Sequence, residues 1–376
     1  MTKLYQLDTN NNVKVWEIYV RDNKTYSEIV VNSGRLNGKM VENVSKVMSG
    51  KNEGKSNETN HYTQAISEME STVKNQIRKG YVYELKDAKN SAVLGSGISA
   101  PMLAQKYDKD GKQKGSKTLK QLGLEGKEII VQPKLDGNRC MIKVENGKVE
   151  MFTRKGDLMP VQLDHILNDI PRFERNIILD GELFSNEISF NTLNGLIKRV
   201  KASPEEIEKR KFIKFHIYDV MTSDGYEVRS RIVKEFESSN IVAVPSFKIR
   251  ANEEIIQEHL ERFLNDGNEG LMIRVLGLPY DNKRSWQLMK VKVFEDSEFK
   301  LIGFDEDVRG NFVGAFVLED EKGNTFKAGS SGQSEDEREE MWKNQDKYIG
   351  KMATICFFGK SEYGVPRFGK FKGIRE

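Results

Sequence analysis

The feature that most constrains this chain is a set of ionisable side chains seated on short apolar runs. Lys134 ends the run in "EIIVQPKLDGNR", Glu182 lies at the end of "ILDGELF", and Glu269 directly precedes the run in "GNEGLMIRV". Lys290 and Lys292 stand two apart in "LMKVKVF", so they share one face of a strand. Charge on a buried strand is costly unless it is paired or metal-bound. Two lysines on one strand face repel unless an anion lies between or above them. The pattern predicts strands whose charged ends converge on one cleft.

Such a cleft suits a nucleoside triphosphate carrying Mg²⁺. The two carboxylates would hold the metal directly or through water. The cations would neutralise phosphate charge during phosphoryl transfer. Lys134 is the candidate nucleophile, because burial and neighbouring cations free the lone pair of an amine. Each piece also has a plain structural reading. K-x-D-G-x-R alone suits a charged surface hairpin, Glu182 and Glu269 suit ordinary salt bridges, and the lysine pair suits an exposed strand face. Five such coincidences in one section of chain favour the cleft.

The 376 residues predict a multidomain α+β protein. In residues 1–84, "NNVKVWEIYV" and "TYSEIVVNSGRLNGK" read as strands. The spacing of Tyr62, Ile66, Met69, Val73 and Ile77 predicts an amphipathic helix ending at Gly80. Residues 85–100, with small side chains and weak periodicity, read as a linker. Residues 101–294 alternate strands and helices. They include strand, turn and strand through "PKLDGNR", a turn at Asn146-Gly147, strands at "NIILDGELF" and "KFHIYDVM", and a helix over "NEEIIQEHLERFLNDG". Residues 295–376 hold short strands, glycine turns and one acidic helix, compatible with an OB-type barrel.

One stretch imitates a phosphate-binding loop. "SGKNEGKSNET" places three residues, not four, between Gly50 and Gly54, and such a loop depends on its length. The preceding "VENVSKVM" reads as helical or irregular rather than as a buried strand. A solvated basic loop is the preferred reading.

Composition narrows the classes further. No run of about 18 apolar residues exists to span a membrane. "MTKLYQLDTN" lacks a signal-peptide core, so a cytoplasmic location is expected. Cys140 and Cys356 are too few for a four-cysteine zinc site, and His61, His165, His216 and His259 lack metal-ligand spacing. The net charge is +3, so a polyanionic partner requires basic residues gathered on one surface.

Residues 100–376 resemble the ATP-dependent DNA ligases of the covalent nucleotidyltransferase superfamily. "KLDGNR" looks like the nucleotidyl-lysine motif, and "FTRKGD", "LDGELF", "FHIYDVM", "EGLMIRV" and "LMKVKVF" look like the motifs that follow it, in order. "GVPRFGKFKGIRE" is similar to the family's C-terminal end. The resemblance implies an adenylation (nucleotidyltransferase) domain of antiparallel sheets with helices, followed by an OB-fold barrel that closes over the DNA. RNA ligases and GTP-using capping enzymes share the lysine motif, but the segment "YIGKMATICFFGKSEYGVPRFGKFKGIR" favours DNA. A non-catalytic nick-binding protein would have no use for Lys134. The N-terminal section resembles a small α/β module, the WGR domain, with Ser33 in place of the tryptophan before Gly34-Arg35. That module is expected to hold DNA.

The resemblance also implies roles. Lys134 takes AMP from ATP, the AMP passes to the 5′-phosphate at a nick in duplex DNA, and the 3′-hydroxyl then displaces it. Gln132, Arg139, Arg154, Glu182, Tyr218, Lys290 and Lys292 would bind the nucleotide, and Glu182 and Glu269 would bind Mg²⁺, with Mn²⁺ as a substitute. Tyr218 would stack on adenine, although an ordinary core tyrosine fits the residue equally well. Arg35, Arg154, Arg284, Arg367, Lys370 and Arg375 would meet DNA or phosphate, mostly along the backbone, because sealing must ignore sequence. Many relatives carry glutamate where Gln132 stands, and the amide oxygen of Gln132 could accept the same hydrogen bond from adenine. Arg375 matches the arginine of the last motif, while that motif's lysine has no counterpart. A monomer is expected.

Overall fold

The computed structural model describes residues 1–8, 10–52, 54, 56–90, 93–94, 96–113, 115–171, 176–307, 310–330, 332–361 and 364–375. Among these residues the strands form three open sheets and one closed barrel. No helix among them is long and apolar enough to cross a membrane.

The first sheet is antiparallel, in the order β1 (Thr2–Leu7), β2 (Val13–Asp22), β3 (Ser27–Arg35) and β4 (Met40–Val47). The helix His61–Arg78 packs Ala65 and Val73 onto Leu4, Trp16, Ile18 and Ile29 of one sheet face. It starts at Asn60, which accepts the Thr63 N–H at 2.9 Å while the Thr63 hydroxyl receives the Asn60 N–H, a reciprocal cap. β4 corrects the helical or irregular reading of "VENVSKVM". It is an edge strand exposed along nearly its whole length, so its residues carry no alternation of burial to reveal it. In the loop that follows, Glu53 and Lys55 lie outside the described residues.

The described residues of the expected linker, 85–100, do not form a loose tether. Tyr5 pairs with Val82, Leu7 with Asn90, and Val93 with Ser99. Ile98 is buried against Met141 and Phe152. Small residues and weak periodicity suggested a linker because the contacts come one residue at a time, with no repeating face.

Two sheets follow. In chain order their strands are β5 (Leu103–Tyr107), β6 (Ser116–Lys117), β7 (Glu128–Lys134), β8 (Asn138–Glu145), β9 (Lys148–Thr153), β10 (Ile177–Phe184), β11 (Lys214–Val220), β12 (Ile241–Ala243), β13 (Phe247–Arg250), β14 (Gly270–Val275) and β15 (Arg284–Val291). The five-stranded sheet runs β12-β11-β10-β8-β9 and the six-stranded sheet β13-β7-β14-β15-β5-β6. Most pairs are antiparallel as expected, but β11–β12, β15–β5 and β5–β6 are parallel. Asn146 and Gly147, both at positive φ, close the β8–β9 hairpin. β7 and β8 belong to different sheets, so "PKLDGNR" is a crossing between sheets and not a hairpin.

A buried ion cluster ties these sheets together. Asp219 on β11 accepts Arg229 Nε at 2.7 Å and Arg274 Nη1, from β14 of the other sheet, at 2.5 Å. Both arginines and the aspartate are almost wholly buried.

The barrel closes in the order β16 (Glu295–Glu306), β17 (Val313–Glu319), β18 (Thr325–Ser330), β20 (Lys370–Ile374) and β19 (Met352–Phe357). Its interior packs Phe299, Leu301, Phe316 and Phe371, and the acidic helix Glu335–Lys343 lies between β18 and β19 in the chain.

Removing the central carboxylate leaves two guanidiniums buried without it. Asp219→Ala is expected to lower stability by about 3–5 kcal/mol in urea unfolding of the full chain. A loss under about 1 kcal/mol would show that the cluster does not join the sheets.

Candidate active site

The site lies in the seam between the two sheets. Lys134 is the last residue of β7, and Asn138 the first of β8 in the opposite sheet. Leu135, Asp136 and Gly137 make the crossing. A Cβ on Gly137 would sit 2.3 Å from the Leu183 carbonyl oxygen and 2.7 Å from Glu182 Cγ, so glycine lets the crossing press against β10.

The Lys134 carbonyl accepts the Glu269 N–H at 2.7 Å, which anchors Glu269 at the start of β14. The Glu269 carboxylate, 8% exposed as a residue, then holds two ammoniums. One oxygen takes Lys134 Nζ and the other takes Lys292 Nζ. Both oxygens of Glu269, expected to serve a metal, are thus engaged by lysines here. Among the described residues no group of three or more His, Cys, Asp or Glu side chains is set for a metal.

A cavity of about 270 Å³ opens beside this pair. Gln132, Lys134, Arg139, Arg154, Glu182, Tyr218, Arg284, Lys290 and Lys292 all line it. Burial pushes the Glu182 carboxyl up to about 7, against the pull of Lys134 and Arg139. Burial, and then Lys292 and Lys134, push the Lys290 ammonium down to about 8. Two guanidiniums stand by the Tyr218 ring, Arg139 at 5.7 Å and Arg274 at 5.4 Å from its centroid.

Several expected roles meet competing partners. The Gln132 Oε1 accepts Arg274 Nε at 2.6 Å, and its Nε2 donates to Tyr226 Oη and Ser246 Oγ, both at 2.9 Å. Tyr226 and Ser246 spend their own protons on the carbonyls of Tyr218 and Val244, so they must accept from the amide and its orientation is fixed. The amide expected to read adenine is thus already committed within the protein. Arg139 donates through Nε and Nη2 to Asp180, at 2.9 and 2.5 Å. Arg284 donates to the Ala104 carbonyl at 2.5 Å.

The other expected DNA contacts lie outside the cavity. Arg367, from the barrel, grips Asp136 of the lysine crossing through two bonds of 2.5 and 3.2 Å. Arg35 pairs with Asp8 at 3.3 Å, Arg375 pairs with Glu298, and Lys370 is exposed at the start of β20.

Sequence reasoning passed over Asp180, Asp219 and Arg274. Each is a charge inside an apolar strand run, the same signal that singled out Glu182. Asp136 stood within the lysine motif, but its partner lies 231 residues away in the barrel.

Comparison with known proteins gives this geometry a relationship. A family model described as the ATP dependent DNA ligase domain matches residues 101–292, and one described as a DNA ligase OB-like domain matches residues 309–375. A DNA ligase of Haemophilus influenzae is 29% identical over 252 residues, covering 64% of this chain and 85% of that protein. A DNA ligase of African swine fever virus is 24% identical over 295 residues, covering 74% of this chain and 64% of that protein. A solved structure of a Lig E DNA ligase shares the fold with a TM-score of 0.59 at 23% identity, covering 74% of this chain and all of that one. The first match spans every cavity-lining residue, from Leu103 to Lys292, and Arg367, which reaches Asp136 from the barrel, falls within the second. The chain belongs to the ATP-dependent DNA ligase family, whose members join DNA through an enzyme–adenylate intermediate.

Proposed function

We propose that this chain seals 5′-phosphate/3′-hydroxyl nicks in duplex DNA with Lys134 as the adenylated residue. The observation that carries the reading is the pairing of Lys134 with Glu269 at a cavity ringed by cations. Lys134 Nζ attacks the α-phosphorus of ATP, a P–N bond forms, and pyrophosphate leaves. Nζ must shed protons to do so, and the Glu269 oxygen in contact with it is placed to accept one. Lys290 and Lys292 face the phosphates, and Tyr218 supports the base. Arg154 then meets the 5′-phosphate at the nick, and the held guanidinium of Arg139 faces the ribose or that phosphate.

Mg²⁺ would be held by Glu182 together with the substrate's phosphates, a donor set of the kind this ion takes. It would neutralise phosphate charge when bound. Glu182 suits this because its buried carboxyl, raised to about 7, gains from a cation beside it.

For the flanking units we propose an OB-type barrel and a WGR-like DNA-holding module. The strand order, with a helix between the third and fourth strands, supports the first. A groove on the N-terminal sheet supports the second. Lys14, Lys79, Ser33, Asn43 and Gln76 line it around Trp16, and no carboxylate stands among its described lining residues. Amines with neutral donors suit phosphate backbone of any sequence. One chain supplies the whole catalytic cavity, which supports action as a monomer.

Three outcomes test these readings. Lys134→Ala should take no label from α-³²P-ATP, and labelling at the wild-type level would overturn the mechanism. Lys290 carries its charge below its pKa of about 8 and loses it above. The free-enzyme kcat/KM for labelling should therefore fall as pH rises through about 8, and Lys290→Arg should move that limb upward. Lys14→Ala with Lys79→Ala should weaken nick binding and reduce the slope of log K against log salt by roughly two, with labelling unchanged. An unaltered slope would leave the N-terminal unit as a spacer.

A further inference from the structure

Among the described residues, the connector between the N-terminal unit and the catalytic sheets touches the turn that carries Arg154. Arg154 is carried by the turn that follows β9, the edge strand of the five-stranded sheet. Among the described residues no named strand flanks β9 on its outer side; only the returning segment holds it, with Phe152 bridged to Leu158 and Met159 N–H donating to the Met151 carbonyl at 2.9 Å. The turn closes on itself, with Gly156 N–H donating to the Thr153 carbonyl at 2.8 Å and Thr153 N–H to the Asp157 carbonyl at 2.8 Å. Gly156 sits at φ +81°, where a side chain would be strained.

Space forbids that side chain as well. A Cβ on Gly156 would lie 2.6 Å from Leu94 Cδ1 and 3.0 Å from Ile98 Cγ2. The connector is therefore packed directly on the backbone of the turn. It is itself fixed, because Leu94 N–H donates to the Ile98 carbonyl at 2.9 Å and Ile98 is buried against Phe152 and Met141. A second tie comes from the helix of the N-terminal unit, where Arg78 Nε pairs with Asp157 at 3.1 Å. Arg154 itself makes no hydrogen bond among the described residues, so the backbone of the turn governs where its guanidinium stands. Leu94 also lines the groove that holds Lys14 and Lys79.

We propose that Leu94, backed by Ile98 and the Arg78–Asp157 pair, is a positioning residue that holds the Arg154 turn in place for the chemistry at the nick. The N-terminal unit and its connector are then part of the active-site scaffold as well as a handle for DNA. Misplacing a catalytic contact by about 1 Å costs on the order of 100-fold in rate, so one packing contact is enough to matter. The inference rests on the nick-sealing reading and on the placement of Arg154 at the 5′-phosphate.

The test uses the full chain and separates the steps. Lysine labelling by α-³²P-ATP, AMP transfer from labelled enzyme to nicked duplex, and sealing of a pre-adenylated nick are measured for Leu94→Ala, Leu94→Ile, Arg154→Ala and the Leu94→Ala/Arg154→Ala double variant. Leu94→Ala should label within about twofold of wild type yet transfer AMP about tenfold or more slowly. Leu94→Ile should recover most of that loss. The double variant should be no slower than Arg154→Ala, because both changes remove the same contact. Normal transfer by Leu94→Ala beside slow transfer by Arg154→Ala would overturn the role of the connector alone. Normal transfer by Arg154→Ala would overturn that role together with the assignment of Arg154. Equal losses in labelling and transfer by Leu94→Ala, or additive losses in the double variant, would reduce Leu94 to a packing residue and also overturn the proposal.

Discussion

The structure depends on one carboxylate. Asp219 stands at the end of an apolar strand and receives four hydrogen bonds, two from Arg229, one from Arg274 and one from the Val220 amide. Arg274 reaches it from the opposing sheet and also grips Gln132 on β7. A buried ion pair is weak evidence for stability, since apolar residues often do as well. It is a strong device for register, because its partners must meet in one geometry or leave charge stranded. Here it sets how the two sheets face each other, and hence the width of the seam in which Lys134 lies.

That seam explains the chemistry's electrostatics. Lys134 and Lys292 share Glu269, while Lys290, with no comparable carboxylate contact among the described residues, is pushed to a lower pKa by burial and then by Lys292. Arg139 is satisfied by Asp180, and Tyr280 donates its hydroxyl proton to the same aspartate at 2.5 Å. Most cations are thus held by fixed partners before any phosphate arrives. Fixed donors need little reorganisation when charge develops, which is where such sites gain their effect. Gly137 matters for the same reason. By pressing the lysine crossing onto β10 it brings Glu182 within reach of the Lys134 charge.

Much of this was legible in the sequence, for a physical reason. Charge inside an apolar run has to be explained, and Lys134, Glu182, Glu269, Lys290 and Lys292 were found that way. The core strands and the helices at His61 and Glu253 were legible because their buried faces repeat with a period. What failed to show was whatever lacks a period or depends on distance along the chain. β4 is exposed on both faces, and the connector packs through Leu94 and Ile98 singly. The partners of Gln132 come from 94, 114 and 142 residues away, so no local pattern could show that its amide was already taken. Glu269 was correctly singled out as a buried charge. A sequence cannot say whether such a charge answers to a metal or to two lysines.

The modest net charge of +3 raises a last point about DNA. Arg35, Arg367 and Arg375 each face a carboxylate within the chain, namely Asp8, Asp136 and Glu298. None of these three pairs is deeply buried on both sides, and pairs of this kind contribute only about 0–1 kcal/mol. A phosphate backbone presents many charges at once and releases counterions on binding, so exchange of an internal carboxylate for a phosphate is inexpensive. The Arg367–Asp136 pair differs in one respect, because it joins the barrel to the lysine crossing. Asp136 lies two residues from Lys134, so a phosphate that competes for Arg367 competes for a contact between the barrel and the lysine crossing. A nearly neutral chain can therefore bind a polyanion by exchanging internal ion pairs for phosphate contacts.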